Sequence, residues 1–359
     1  MSDQTNPIDS QEWRPVIGIS LGDFNGIGVE VILKTLGNPH VLKICTPVIY
    51  GSIKIISKYR KLLKLKEWYI HQINSIDQVA LKKPNLISVA QSLKFEVQPG
   101  KVAPDAGQFA IESLVAATED LKKGALDAIV TAPISKANVQ SEGFPYPGHT
   151  EFFTSTFEVA DSLMLMVCDD LRIGVVTGHV PLSEVSSLLT RERLASKTNI
   201  LLKSLQDDFG ISKPKIAILG FNPHAGEEGL LGDEENQIIR PVILDMKKKG
   251  ALIYGPFPAD SFFGTGDFKK FDAILAIYHD QGLIPFKTMA FERGVNFTAG
   301  LPIVRTSPDH GTAFAIAGKD LADDSSFREA LFLAHDIAKH RRETKLLLES
   351  KLESIQPIE

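Results

Sequence analysis

From Pro15 onward the chain alternates short, almost wholly apolar runs with longer stretches in which apolar residues recur every three or four positions. The runs include Val16-Ile17-Gly18-Ile19-Ser20, Ala128-Ile129-Val130-Thr131, Ile173-Gly174-Val175-Val176-Thr177, Ile216-Ala217-Ile218-Leu219 and Ala273-Ile274-Leu275-Ala276-Ile277. Rich in β-branched residues and apolar at nearly every position, they predict strands buried on both faces of a mainly parallel sheet. Between them, Asp105 to Lys123 places Phe109, Ala110, Leu114, Ala117 and Leu121 at helical spacing, with Gly124 suited to end the helix. A final helix over roughly 326–350 puts Phe327, Leu331, Ala334, Ala338 and Leu346 near one stripe. Strands alternating with helices predict an α/β fold. Residues 1–13 are polar and read as a disordered tail. The basic stretch Lys54 to Lys66 interleaves its charges with Ile55, Ile56, Leu62, Leu63 and Leu65, the pattern of a solvated helix face.

Composition narrows the classes. With 359 residues the chain is long enough for two domains and a sizeable core. A net charge of −5 gives no reason to expect nucleic acid or an anionic membrane as partner. No apolar run approaches membrane-spanning length. The polar, acidic start from Met1 to Pro7 does not resemble a secretory signal, so the expected location is the cytoplasm. Two cysteines, Cys45 and Cys168, exclude a disulfide framework and a cysteine-based zinc site.

Candidate chemistry begins with the nine histidines. Five stand in loops beside glycine or proline: His149, His179, His224, His279 and His310. Three of these follow directly from predicted buried strands: Ile173–Thr177 leads to His179, Ile216–Leu219 to His224 and Ala273–Ile277 to His279. Ligands of open α/β sheets bind outside the carboxyl ends of the strands, so the three should project toward one crevice. Three imidazoles without cysteine suit Zn²⁺, with Mg²⁺ or Co²⁺ as alternatives, and leave positions open for substrate. Asp280 either holds the His279 imidazole as a hydrogen-bond acceptor or caps the following turn. Lys287, Asn296 and Arg305, nine residues apart in what reads as short strands and turns, are either phosphate donors or unrelated surface polars. The glycines of Leu21-Gly22-Asp23-Phe24-Asn25-Gly26-Ile27-Gly28 match neither G-x-G-x-x-G nor a P-loop; a nucleotide loop and a tight turn are both open. No nucleophile elbow is present.

Gly148-His149-Thr150-Glu151-Phe152-Phe153, Asn222-Pro223-His224-Ala225-Gly226-Glu227, Tyr278-His279-Asp280-Gln281-Gly282 and Arg305-Thr306-Ser307-Pro308-Asp309-His310-Gly311-Thr312-Ala313 together resemble the 4-hydroxythreonine-4-phosphate dehydrogenase family of pyridoxal-phosphate biosynthesis. The resemblance spans about residues 15–345. It implies two α/β/α domains with a cleft between them, as in isocitrate and isopropylmalate dehydrogenases, with 14–138 plus 300–352 forming the dinucleotide-side domain. Residues 139–299 would form the metal, substrate and dimer domain. It implies a homodimer with a shared active site, in which His179, His224 and His279 hold the metal and His179 comes from the partner subunit. It further implies that His149, Thr150, Lys287, Asn296 and Arg305 bind the phosphorylated substrate, and that Asp260 and Asp280 support the site. Gly311 and Thr312 are the expected contacts to NAD or NADP. In the first loop the family's Gly-Asp-Pro-Ala-Gly-Ile-Gly-Pro-Glu is altered, with Phe24, Asn25 and Val29 in place of Pro, Ala and Pro.

The implied reaction is NAD(P)-dependent oxidation of 4-phosphooxy-L-threonine to a β-keto acid that decarboxylates to 3-amino-2-oxopropyl phosphate, with His149 or Asp260 as general base. The same residues would serve a dehydrogenase of phosphothreonate or phosphoerythronate. A metal-dependent hydrolase and a non-catalytic phosphometabolite-binding protein are the readings of other classes.

Overall fold

The apolar runs all become strands, and the strands join one sheet. The computed structural model describes residues 13–139 and 144–353. Its strands are β1 (Val16–Ser20), β2 (Thr46–Gly51), β3 (His71–Ile73), β4 (Asn85–Ser88), β5 (Ala128–Thr131), β6 (Leu163–Cys168), β7 (Leu171–Thr177), β8 (Lys215–Leu219), β9 (Leu252–Phe257), β10 (Ala273–Tyr278), β11 (Val295–Ala299) and β12 (Arg305–Pro308). They lie in the order β3-β4-β2-β1-β5-β12-β11-β6-β7-β10-β8-β9. Pairing is parallel from β3 to β12 and again from β7 to β9. The three central pairings, β12–β11, β11–β6 and β6–β7, are antiparallel. Three reversals make the two parallel sets run in opposite directions, so their carboxyl ends lie at opposite edges. A cleft must therefore open over the central antiparallel strands, where the two sets meet.

Helices cover both faces, as a sheet with apolar residues on both faces requires. The predicted helix at 105–123 runs Pro104–Lys122 and buries Phe109, Ala110, Leu114, Ala117 and Leu121; the last helix runs Ser325–Glu353. Helix Ile53–Leu62 buries Ile55, Ile56 and Tyr59 and leaves Lys54, Lys58 and Lys61 exposed, as the interleaved charges predicted. Of the expected tail, residues 1–12 lie outside the described residues, while Trp13 is half-buried with the Arg342 guanidinium 4.9 Å from its ring centre. No helix among the described residues is long and apolar enough to cross a membrane.

The glycine loop after β1 is a packing element. Asp23, Phe24 and Asn25 are fully buried. The Phe24 ring meets Phe95 and Phe109 at 5.1 and 5.5 Å, and Asn25 Oδ1 accepts from the Gln98 amide. The amide of Ile27, the residue just before helix Gly28–Leu36, donates to the Thr312 carbonyl at 2.9 Å. That contact, with the buried side chains, favours a tight turn over a nucleotide loop. The residues that depart from the family pattern are the ones that fill this packing.

One glycine tests how closely the elements approach. At Gly107 in helix Pro104–Lys122 an added Cβ would lie 2.1 Å from the Asn138 carbonyl oxygen. Alanine there gains about 1 kcal/mol of helix propensity but forces backbone apart. Gly107→Ala is expected to lower stability by about 1–3 kcal/mol, read as a lower urea midpoint at unchanged slope. An unchanged midpoint would mean the segment after β5 yields freely.

Candidate active site

The sheet register brings polar side chains together on one face. Asn296 of β11 sits opposite Met166 of β6 on one side and Ser307 of β12 on the other, and Thr298 lies opposite Met164. Side chains two apart share a face, so Met164, Met166, Asn296, Thr298, Arg305 and Ser307 point the same way. Over them lies a cavity of about 330 Å³, also lined by Lys136, His149, Thr150, Glu151, His179, His279, Lys287, Asp309, His310 and Gly311.

Arg305 is the deepest charge, 3% exposed. Its Nε and Nη2 donate to Thr131 Oγ1 at 3.2 and 2.8 Å, and its Nη1 donates to Thr298 Oγ1 at 3.1 Å. Burial pulls its pKa down to about 10, with Glu151 opposing, yet it stays charged at neutral pH. Among the described residues no carboxylate forms an ion pair with it. A buried guanidinium held only by hydroxyls is suited to pair with an anion. Lys287 reaches Asp309 Oδ1 at 3.2 Å; burial pushes that carboxyl up while Lys287 draws it down. Lys287 corrects the sequence reading: it lies on helix His279–Ala290, not on a short strand. Gly282 lets the helix sit close, since a Cβ there would lie 2.9 Å from Ile173 Cγ2 and 3.0 Å from Ala276 Cβ.

Three residues lining this cavity carry a buried atom with no hydrogen-bond partner among the described residues: His149 Nε2, Asn296 Oδ1 and His310 Nε2. Such atoms cost stability unless a ligand or water satisfies them. Burial, and then the charge of Arg305, holds His149 well below the usual imidazole range, so it is neutral. His149 and Thr150 open helix His149–Thr156, whose first turn faces the cavity.

The strand-end histidines divide. His179, just beyond β7, and His279, just beyond β10, have ring centroids 5.4 Å apart. Burial first, then the charges of Lys136 and His279, lower the His179 pKa. His279 Nδ1 lies 2.7 Å from Asp280 Oδ1, which favours the acceptor role of Asp280 over the turn cap and turns Nε2 outward as a ligand. His224 stands apart. It is exposed in the turn Pro223–Gly229, in a left-handed backbone (φ 53°) held by Glu235, whose Oε1 accepts from the Phe221 and Asn222 amides. No three histidine, cysteine or acidic side chains of the described residues are placed to hold one metal ion. Asp260, exposed at the start of helix Ala259–Gly264, does not line the cavity either. Thus one chain brings together His149, Thr150, Lys287, Asn296, Arg305, His179 and His279, but neither His224 nor Asp260. Gly311 lines the cavity, whereas the Thr312 carbonyl is engaged by the first loop.

Sequence reasoning missed Thr131, Lys136, Glu151 and Asp309, and gave His310 no role. Thr131 ends the predicted strand Ala128–Thr131 and Lys136 follows it, so the strand-end rule that marked the histidines also covered them.

A buried guanidinium without an ion-pair partner among the described residues shares this cavity with a lysine and a pair of imidazoles, an arrangement suited to a small phosphorylated metabolite. The model of the family described as pyridoxal phosphate biosynthetic protein PdxA matches residues 43–334. A 4-hydroxythreonine-4-phosphate dehydrogenase of Bacteroides thetaiotaomicron is 46% identical over 93% of this chain and 92% of its own. A protein of Oceanobacillus iheyensis, provisionally named a D-threonate 4-phosphate dehydrogenase, is 37% identical over 90% of this chain and 98% of its own. The crystal structure of the Klebsiella pneumoniae 4-hydroxythreonine-4-phosphate dehydrogenase superposes with a TM-score of 0.81 at 34% identity, covering 92% of this chain and 99% of that one. The chain belongs to the PdxA family of pyridoxal phosphate biosynthesis.

Proposed function

We infer that this chain oxidises the secondary alcohol of 4-phosphooxy-L-threonine with NAD or NADP, giving a β-keto acid that decarboxylates to 3-amino-2-oxopropyl phosphate. The observation that carries the reading is Arg305, a buried cation with hydroxyl partners and no ion-pair partner among the described residues. With Asn296 and Lys287 it would grip the phosphate, and that remote binding energy fixes the reacting carbon. Phosphate taking Lys287 would part it from Asp309. His149, neutral and with an unpartnered buried nitrogen, is the better general base of the two expected; Asp260 stands outside the cavity.

The paired imidazoles of His179 and His279 suit a divalent metal such as Zn²⁺, and the third ligand would be His224 of a second copy, in place of the expected His179. When bound, the metal would steady the alkoxide that forms at the substrate hydroxyl, and the dinucleotide, near Gly311, would take the hydride. Exposed apolar residues close in sequence to these histidines, Leu182, Leu230 and Ile284, favour a homodimer whose two copies share each site.

The Oceanobacillus relative favours a second reading with phosphothreonate, in which a hydroxyl replaces the amine at C2. Dinucleotide reduction measured with each acid, with and without chelator, decides between them. Turnover of 4-phosphooxy-L-threonine that the chelator abolishes is expected. Reduction with neither acid overturns the dehydrogenase reading.

A further inference from the structure

We propose that Lys136 binds the carboxylate of the substrate and so makes the site selective for an acid beside the carbinol. This rests on the phosphorylated-acid reading above. Among the described residues only three lysines or arginines line the cavity: Lys136, Lys287 and Arg305. Arg305 and Lys287 line it with Asn296, the set proposed above to take the phosphate. Lys136 comes from elsewhere, at the start of the short helix Lys136–Val139 beyond β5. Its ammonium forms no ion pair or hydrogen bond with the described residues, and it lines the same cavity as His179 and His279. It therefore shares the cavity with the imidazole pair, where the carbinol would be held, and offers the remaining positive charge for a second anion.

A four-carbon substrate with phosphate at one end and carboxylate at the other needs two such anchors, one on each side of the reacting carbon. The type of cation also fits. Lysine offers a mobile point charge, whereas an arginine fork would hold a carboxylate rigidly in both oxygens. Loss of CO₂ removes the negative charge from the carboxylate, so a looser anchor opposes that step less. Lys136 is exposed, and its replacement leaves no buried group without a partner.

The test measures calorimetric binding of 4-phosphooxy-L-threonine and of its carboxamide, without dinucleotide, to wild-type protein, Lys136→Met and Lys136→Arg. The wild type is expected to prefer the acid by roughly thirtyfold, the scale of a charged hydrogen bond. Lys136→Met should bind acid and amide alike, with amide affinity unchanged, and Lys136→Arg should keep most of the preference. In turnover the loss should fall on KM for the acid. If Lys136→Met keeps the wild-type preference, the proposal is overturned while the phosphorylated-acid reading stands. Wild-type protein that binds neither ligand overturns both.

Discussion

Arg305→Lys should cut kcat/KM by about a hundredfold, on the order of 3 kcal/mol, although the charge is kept. A lysine cannot fork between Thr131, Thr298 and a phosphate, so the contact becomes a single point. The loss should disappear for a substrate lacking the phosphate; equal impairment with both substrates would show that Arg305 does not bind it. Arg305→Met sharpens the argument by separating function from stability. Removing a buried cation that has no carboxylate partner relieves its desolvation, against the loss of three hydrogen bonds to hydroxyls. We expect activity to vanish and the ligand-free fold to gain about 1 kcal/mol. A marked drop in the urea midpoint would make the guanidinium a structural residue instead.

Co-expression of His224→Ala with His279→Ala should restore roughly a quarter of wild-type activity from two nearly inactive parents. In a two-fold dimer, half of randomly paired molecules are mixed. If His224 serves the site of the other copy, one site in each mixed dimer carries both lesions and the other carries none. His224→Ala with His179→Ala should behave the same way. His179→Ala with His279→Ala should recover nothing, because these two rings, 5.4 Å apart in one chain, belong to one site. Recovery by that last pair, with none from His224→Ala alongside His279→Ala, would return His179 to the visiting role the family resemblance implied. Metal content of each purified dimer checks the same assignment without turnover. His224→Ala itself should cost within about half a kcal/mol, since the ring is exposed.

The strands, the α/β class and the three strand-end histidines are written locally in the sequence. Runs apolar at every residue must be buried on both faces, and residues directly after such strands must lie at one edge. The motifs around His149, His224, His279 and Arg305 likewise carry the family, because short segments bearing chemistry keep their residue types whatever surrounds them. Other features were settled only by tertiary packing. Lys287 sits on a helix because Leu283 and Phe286 bury themselves and Gly282 closes on β7 and β10, against the local break that Pro285 suggests. The glycine loop after β1 became a turn because the Thr312 carbonyl, nearly three hundred residues away, accepts from the Ile27 amide just before the following helix. Above all, the three antiparallel pairings at the centre of the sheet decided where the site is. Pairing register between β6, β11 and β12 is a long-range property, and it alone aims Asn296 and Arg305 at the same face. The same sheet order, β7-β10-β8, seats His279 between the other two strand ends; the left-handed turn after β8 then carries His224 out to solvent. No local pattern encodes that separation, because it depends on which strands become neighbours and on how each loop leaves the sheet.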